Sequence, residues 1–246
     1  MRITISGNKA SPRAKLRKRA LEDMQSRTIP AGRFGEWLQQ MRRSLRDDGG
    51  TDVPCGDCVG CCVSAYYIPL RTGDRQALPH IPQEFVITVN GQPSGHTMMG
   101  YRADGSCPML HDKLCSIYEQ RPQTCRDYDC RIFAAAGIAA GGEDKSVINE
   151  RVSAWRFTYG DESERQAHEA VAAAARFIQN NGAHFPGGRA PTASTGIAVL
   201  AIKSYAVFLD ADLTGKSPTD IARAIVQASG EFDAEAPLAT RARAGE

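Results

Sequence analysis

The sequence predicts an α+β fold that is mostly helical, with a small antiparallel sheet and loops in a cysteine-rich middle region and helices on both sides of it. All eight cysteines lie between Cys55 and Cys130. Hairpin turn signals fall inside this stretch, and the residues before and after it show helical periodicity. With 42% hydrophobic and 24% charged residues, the composition is that of an ordinary globular protein.

Residues 1–50 are predicted to form a basic helical arm. Their apolar residues recur with helical spacing on both sides of a break at Pro30 to Gly32: Leu16, Ala20 and Met24 before it, and Phe34, Trp37, Leu38 and Met41 after it. This region holds 12 Lys and Arg against 5 Asp and Glu, whereas residues 210–246 hold 4 against 7. The arm could attract a protein partner, although a solvated helix is the simpler interpretation because Lys and Arg favour helices. Nucleic acid is a less favoured partner, because the sequence shows no nucleic-acid-binding motif.

Residues 51–135 form the cysteine region, and they carry the signals for the sheet. Phe85 to Val89 is rich in residues that favour strands, and it is followed by Asn90-Gly91, a strong hairpin signal. Asp104-Gly105 marks a second turn. A small antiparallel sheet is therefore expected between the first cysteines and the last.

Residues 136–229 are predicted to be helical and to pack on the cysteine region, and residues 230–246 to be a flexible tail. The expected helices are Ile148 to Phe157, Glu162 to Asn180, Gly196 to Leu209, and one capped by Ser217 with Pro218 in its first turn. No membrane span is expected, because the most apolar of these segments, Gly196 to Leu209, is interrupted by Lys203 and is shorter than the ~20 residues that a span needs.

Half of the cysteines fall in one run, Cys55-Gly56-Asp57-Cys58-Val59-Gly60-Cys61-Cys62. A C-x-x-C step lets two soft thiolates converge on one metal ion. The alternative use of cysteine is disulfide pairing, which is typical of small secreted proteins. The first 25 residues contain no secretory signal, so we expect a cytoplasmic, reducing location and metal ligation. The predicted ligands are the eight thiols of Cys55, Cys58, Cys61, Cys62, Cys107, Cys115, Cys125 and Cys130.

The spacing of the cysteines does not identify the metal. Two four-cysteine zinc sites would use all eight thiols. The run Cys55-x-x-Cys58-x-x-Cys61 also reproduces the first three ligands of a bacterial ferredoxin, and Cys107 is followed by proline as the fourth ligand would be. An iron–sulfur cluster with a second site fits the count equally well. Cys62 could bridge two metals or belong to the second site.

Charged residues among the later cysteines are predicted to support the site. Arginines near thiolates would offset their charge and lower their pKa values, and carboxylates could hydrogen-bond to the ligands or balance charge. The candidates are Arg121, Arg126, Asp127 and Asp129. His111 and Asp112 are weaker candidates for direct ligands.

The ordered combination of these motifs resembles the CxxCxxCC family of zinc- or iron-chelating, YkgJ-like proteins, which includes flagellin N-methylases. The resemblance covers Cys55 to Phe133, including Cys107-Pro108-Met109-Leu110 and Cys125-Arg126-Asp127-Tyr128-Asp129-Cys130. It implies a metal-binding cysteine cluster. A methylase would also need a glycine-rich turn between a strand and a helix for S-adenosylmethionine, and the nearest candidate, Gly137 to Gly142, has no convincing strand before it.

Two hypotheses follow for the function, and the sequence leaves open whether the protein is an enzyme. In one, the cluster is redox-active or catalytic and the helices build a pocket around it. In the other, it is a structural metal module and the helices present a surface to a protein partner. A protein lysine N-methylase is a less favoured third alternative.

Overall fold

The computed structural model of this 246-residue chain describes residues 28–47, 49–51, 53, 55–56, 58–88, 97–209, 213 and 215–235. The predicted helix around Leu16 to Met24, with most of the basic arm, lies outside these residues. The hairpin turn at Asn90-Gly91 and residues 236–246 of the predicted tail lie outside them as well.

The described residues form α-helices before, within and after the cysteine region. Their bounds are α1 (Phe34–Ser44), α2 (Gln123–Asp127), α3 (Arg131–Ala136), α4 (Ser146–Ala154), α5 (Glu162–Asn180), α6 (Ser194–Ser204) and α7 (Pro218–Ala234). The strands are short: β1 (Ile29–Arg33), β2 (Ile68–Leu70), β3 (Val86–Thr88), β4 (Thr97–Met99), β5 (Leu110–His111), β6 (Leu114–Cys115) and β7 (Trp155–Thr158). The fold is therefore mostly helical α+β, as the sequence predicts.

The predicted antiparallel sheet is present in the cysteine region. Strand β4 lies between β2 and β3, with Met99 opposite both Ile68 and Val86. Strands β5 and β6 form a separate hairpin in which Leu110 pairs with Cys115. The turn at Asp104-Gly105 also forms, with the Gly105 N–H donating to the carbonyl of Arg102 at 2.9 Å.

The main core is built by the helices. Its buried residues come from α1, α3, α4, α5, α6 and α7, and they include Phe34, Phe133, Ile148, Val171 and Ile225. Helix α1, at the end of the predicted basic arm, packs into this core together with the later helices. The predicted region boundaries remain predictions.

A second core lies under the antiparallel sheet. It is formed by Ile68, Leu70, Ala77, Ile81, Met99, Cys107, Met109 and Ile117. These side chains come from loops and short strands, so this core is smaller than the main one. The cysteine region therefore has apolar packing of its own and also touches the helices.

Two strands are missing from the sequence prediction. Strand β1 replaces the expected break at Pro30 to Gly32, and β7 replaces the end of the helix expected to reach Phe157. The two strands pair in parallel, with Ile29 opposite Trp155. Their pairing joins two segments that are far apart in the sequence. A local sequence pattern cannot reveal a pairing of this kind.

The C-terminal helices follow the prediction closely. Helix α5 has the predicted bounds, and Ser217 caps α7 by accepting a hydrogen bond from the backbone N–H of Asp220. Helix α6 is followed by a 3-10 turn, Tyr205–Phe208, and α7 continues into the predicted tail as far as Ala234. None of the helices in the described part of the chain has both the length and the apolar character of a membrane span.

Candidate metal centre

All eight cysteines line one cavity, although they are spread over 76 positions of the sequence. This thiol cavity has a volume of about 980 Å³, and its wall also contains apolar side chains of both cores, such as Met99, Ile117 and Ile148. Every cysteine is a free thiol. The fold therefore brings together the complete set of predicted ligands.

Tight turns place the first four cysteines at this wall. The Cys58 N–H donates to the carbonyl of Cys55 at 3.0 Å, and the Cys62 N–H donates to that of Val59 at 2.9 Å. The Gly60 N–H points back to the sulfur of Cys58 at 3.5 Å. A glycine suits position 60, because an added Cβ would come within 3.1 Å of the Ile148 side chain.

The later cysteines reach the cavity from four different elements. The Cys107 N–H donates to the carbonyl of Cys62 at 2.7 Å, which ties the first run to the second core. Cys115 lies on β6, Cys125 lies in α2, and Cys130 is the residue that caps α3. Each of these four sulfurs is therefore positioned at the cavity by a different part of the chain.

Hydrogen bonds between thiols lower the pKa values of two cysteines. Hydrogen bonding with the Cys62 thiol lowers the pKa of Cys107 to about 7 and also lowers the pKa of Cys61. The same bonds, with burial, raise the pKa of Cys62 itself. These three sulfurs form a hydrogen-bonded group in which a metal ion could replace a proton.

Burial has the opposite effect on the pKa values of three other cysteines of the cavity. It raises the pKa of Cys55 to about 11 and the pKa values of Cys125 and Cys130 to about 12. Deprotonation of these thiols therefore needs a cation, since a lone thiolate is poorly stabilised in an apolar wall. A bound metal ion would provide that cation.

A tryptophan that the sequence analysis did not single out contacts one of the thiols. The indole N–H of Trp155 donates to the Cys130 sulfur at 3.2 Å, and both residues are buried. The Arg151 guanidinium lies over the Trp155 ring, 4.8 Å from its centroid, and donates to the carbonyl of Cys55 at 2.9 Å. No spacing rule points to Trp155, because its position beside Cys130 depends on how α4 packs.

Asp129 lies beside the site, and its carboxylate is engaged by other groups. It accepts hydrogen bonds from the Trp37 indole at 3.0 Å and from the Arg131 guanidinium at 2.8 Å. Its charge contributes, after burial, to the raised pKa values of Cys55 and Cys130. Asp129 therefore fixes the backbone next to Cys130 through the main core, and its predicted influence on metal binding stays a prediction.

Of the remaining predicted supporting residues, Arg121 and Asp127 line the cavity. Arg121 lies over the ring of Tyr118 at 3.8 Å, and its charge partly opposes the rise that burial causes in the pKa of Cys125. Asp127 accepts a hydrogen bond from Arg71 at 2.9 Å. Their roles toward a metal remain predictions.

Arg126 does not line the cavity. It donates instead to the carbonyls of Arg121 and Glu119, both at 3.1 Å. It therefore fixes the loop before Cys125, and its predicted role in balancing the charge of the thiols remains a prediction. His111 and Asp112 are exposed in the β5–β6 hairpin and also lie outside the cavity wall.

The donor set suits zinc or iron, because both metals are bound by cysteine thiolates in proteins. Within the residues that the structure describes, however, no group of three or more His, Cys, Asp or Glu side chains has the arrangement of a metal site. The thiols share a cavity wall and its hydrogen bonds. They would have to move closer together to coordinate an ion.

The glycine segment considered for S-adenosylmethionine is a loop between helices. Gly137 ends α3 in the left-handed conformation, with φ 66°, and α4 begins at Ser146. No strand precedes it, so the strand–turn–helix arrangement of a nucleotide-type site is absent from this described segment.

Comparison with known proteins gives one family match. Residues 54–151 match the model of the CxxCxxCC family, which is described as a "putative zinc- or iron-chelating domain". The match begins one residue before Cys55 and ends at Arg151, so it includes all eight cysteines. Neither the curated proteins nor the solved structures gave a match.

Proposed function

We propose that the thiol cavity binds zinc or iron as a centre open to a ligand or to electron transfer, because residues 54–151 match the CxxCxxCC model of a zinc- or iron-chelating domain. The single observation that carries the proposal is the convergence of all eight thiols on one cavity of about 980 Å³.

The size of the cavity favours an open centre over a sealed structural one. A structural zinc ion is enclosed by its four ligands and needs no further space. Cavities that bind small molecules have volumes of roughly 300–1,000 Å³ and are mostly apolar. The thiol cavity falls in this range, so a small molecule has room beside a metal.

The bound metal would supply Lewis acidity if it is zinc, or an electron if it is an iron–sulfur cluster. The residues of the chain would exclude water and hold the ligands in place. Met99, Ile117 and Ile148 exclude water from the wall, Trp155 holds the Cys130 sulfur, and Arg151 holds the backbone at Cys55. A cytoplasmic location, as the sequence predicts, would keep the thiols reduced for metal binding.

A second candidate function is a structural metal module that binds a protein partner. Three large apolar side chains of the cavity wall are exposed: Tyr67 at 58%, Leu114 at 66% and Tyr118 at 47%. Exposed apolar groups that lie close together are typical of contact surfaces. A lysine N-methylase remains the least supported alternative, because the Gly137 to Gly142 loop offers no site for S-adenosylmethionine.

Anaerobic purification, elemental analysis and an absorption spectrum test the proposal together. We expect bound zinc or iron in the wild-type protein. A brown, oxygen-sensitive protein would identify an iron–sulfur cluster, and a colourless one would identify zinc. A purified protein that contains neither metal, and that fails to take up either after reduction, would refute the proposal.

The variant Cys58→Ser tests whether Cys58 is one of the metal ligands. It should lower the metal content and the melting temperature together, because binding free energy at such a site is also folding free energy. Val226→Ser is the control, since Val226 is exposed on α7 and does not line the cavity. An unchanged metal content in Cys58→Ser would exclude Cys58 as a ligand.

A further inference from the structure

A second cavity shares part of its wall with the thiol cavity. It has a volume of about 420 Å³, and most of the residues that line it are polar. Three of them are arginines, so we name it the arginine pocket: Arg75, Arg121 and Arg126. Arg121 also lines the thiol cavity. The pocket therefore adjoins the candidate metal centre, although none of the eight cysteines lines it.

The walls of the arginine pocket are joined by a buried carboxylate. Asp74, which is 8% exposed, accepts hydrogen bonds from the backbone N–H of Arg71 and from that of Gln123, both at 2.7 Å. These bonds connect the turn that carries Arg75 to the start of α2. Both carboxylate oxygens are engaged by the backbone, so Asp74 joins the walls instead of pairing with an arginine.

The three arginines have no carboxylate partner in the described part of the chain. The arginine ion pairs found there are formed by other residues: Arg33, Arg46, Arg71, Arg131, Arg165 and Arg223. The lining of the pocket contains three positive charges and the single negative charge of Asp74, a net charge of +2. An anionic ligand would offset this charge, because opposite charges attract strongly at short range.

Hydrogen bonds to the backbone orient two of the arginines. Arg126 donates to the carbonyls of Arg121 and Glu119, and Arg121 donates to the carbonyl of Tyr118 at 2.8 Å. A guanidinium has five N–H groups, so both side chains keep donors for a ligand. Arg75 is exposed, and its side chain makes no hydrogen bond to another described residue. All of its donors are therefore available to an anion.

We propose that the arginine pocket binds the phosphate group of a small phosphomonoester. Arginine forks bind phosphate oxygens in pairs through charge-assisted hydrogen bonds. A phosphomonoester carries a charge of about −1.5 to −2 at pH 7, which matches the net charge of +2 in the lining. A carboxylate has a single negative charge, so it would leave part of the positive charge of the pocket unpaired.

The size and polarity of the pocket indicate what the rest of the ligand is. Its volume of about 420 Å³ lies within the roughly 300–1,000 Å³ of small-molecule sites, so an organic group fits beside the phosphate. Gln76 and Gln120 line the same wall, and glutamine amides both donate and accept hydrogen bonds. The organic group is therefore a hydroxylated one. This site requires no metal, so the inference goes beyond the proposed function.

Isothermal titration calorimetry of the full-length, reduced protein at low ionic strength tests the ligand class. With glycerol phosphate as the probe, we expect saturable binding at a single site. Inorganic phosphate should bind more weakly because it lacks the hydroxylated group, and acetate should not bind. Equal or tighter binding of inorganic phosphate would overturn the assignment of a phosphomonoester. Saturable binding of acetate, or of neither phosphate probe, would overturn the inference as a whole.

Arg75→Gln tests the site itself. It should weaken binding of glycerol phosphate by about 10- to 100-fold, because it removes charge-assisted hydrogen bonds to the phosphate. Arg75→Lys should recover part of the affinity, since it keeps the charge and loses the planar fork. Arg176→Gln is the matched control, because Arg176 is exposed on α5 and lines neither cavity.

The metal content of these variants separates this inference from the proposed function. All three should keep the metal content of the wild type, because neither Arg75 nor Arg176 lines the thiol cavity. Wild-type affinity for glycerol phosphate in Arg75→Gln would contradict the phosphate site and leave the proposed function standing. Equal weakening in Arg75→Gln and Arg176→Gln would also contradict it, since a general loss of positive charge would then explain both.

Discussion

Asp129 and Arg131 form an ion pair inside the main core. The side chain of Asp129 is 0% exposed and that of Arg131 is 7% exposed, and the guanidinium also donates to the carbonyl of Ala31 in β1. Both charges have lost their hydration, so each depends on the other and on the Trp37 indole. The pair joins α1 and β1 to the chain beside Cys130.

Asp129→Asn should therefore destabilise the protein strongly. Arg131 would keep its charge in the core without a counter-charge, a loss of about 3–5 kcal/mol in the free energy of unfolding. Urea denaturation measures this loss in the free energy of unfolding. Asp127→Asn is the control, because its pair with Arg71 is partly exposed and should contribute no more than about 1 kcal/mol. Similar losses in both variants would contradict this account of the buried pair.

His168 of α5 is a second residue whose burial has a measurable consequence. Its ring stacks on Phe34 at a centroid distance of 4.4 Å, and its Nδ1 lies 2.8 Å from the hydroxyl of Tyr159. Burial lowers the pKa of His168 below the ordinary value of 6.5. The folded protein thus favours the neutral ring.

The sign of the pH effect follows from this shift. Below pH 6.5 the unfolded chain takes up a proton that the folded His168 resists, so stability falls as the pH falls through 6.5. His168→Gln should reduce the slope of the free energy of unfolding between about pH 7 and 5. His184→Gln, at an exposed residue, should keep the wild-type slope. An equal slope in wild type and His168→Gln would contradict the prediction.

At the scale of the elements, those with local determinants are the ones that the sequence predicts. Helix α5 is capped by Asp161, whose side chain accepts a hydrogen bond from the Glu164 N–H, and it ends at the predicted Asn180. Ser217 and Pro218 begin α7 in the same local way. Capping depends on neighbours three residues away, so it is visible in the sequence.

Strands β1 and β7 show the opposite case. They have five and four residues, β1 contains Pro30 and Gly32, and each resembles a break or a helix end in the sequence. The bond between Thr158 and Gly32 joins residues 126 positions apart. Only the packing of α1 and α5 into the main core brings them together.

Gly137 ends α3 at an element boundary that the sequence did not predict. Its φ of 66° is costly for a residue with a side chain. Gly137→Ala should lower the free energy of unfolding by roughly 1–2 kcal/mol. The control is Gly142→Ala, because Gly142 has a φ of −77° and should change stability by only a few tenths, ~0.5 kcal/mol or less. A thermal denaturation that ranks the two variants equally would contradict this interpretation.

At the scale of the whole molecule, two cores of unequal size meet at the thiol cavity. The second core is small and rests on short strands and loops, so bound metal should supply part of its stability. The main core is built by the helices and contains one of the eight cysteines, Cys130. Loss of metal should therefore affect the cysteine region first.

Metal removal by a chelator should lower the melting temperature of the wild type. At a free metal concentration about 1,000 times the dissociation constant, binding contributes about 4 kcal/mol to the free energy of unfolding. Calorimetry before and after chelation measures the change, and added Zn²⁺ should restore it whereas Mg²⁺ should not, because thiolates favour the softer ion. An unchanged melting temperature would show that the metal is not coupled to folding.

The sequence by itself determined the fold class, the cysteine ligand candidates and the capped C-terminal helices. These follow from residue type and from neighbours within a few positions, which act before the chain is compact. The tertiary structure alone decided that the eight thiols share one cavity, that the two cores meet there, and that Trp155 bonds to Cys130 across 25 positions. Such contacts depend on the packing of distant segments, because no local pattern specifies which buried sulfur a side chain will meet.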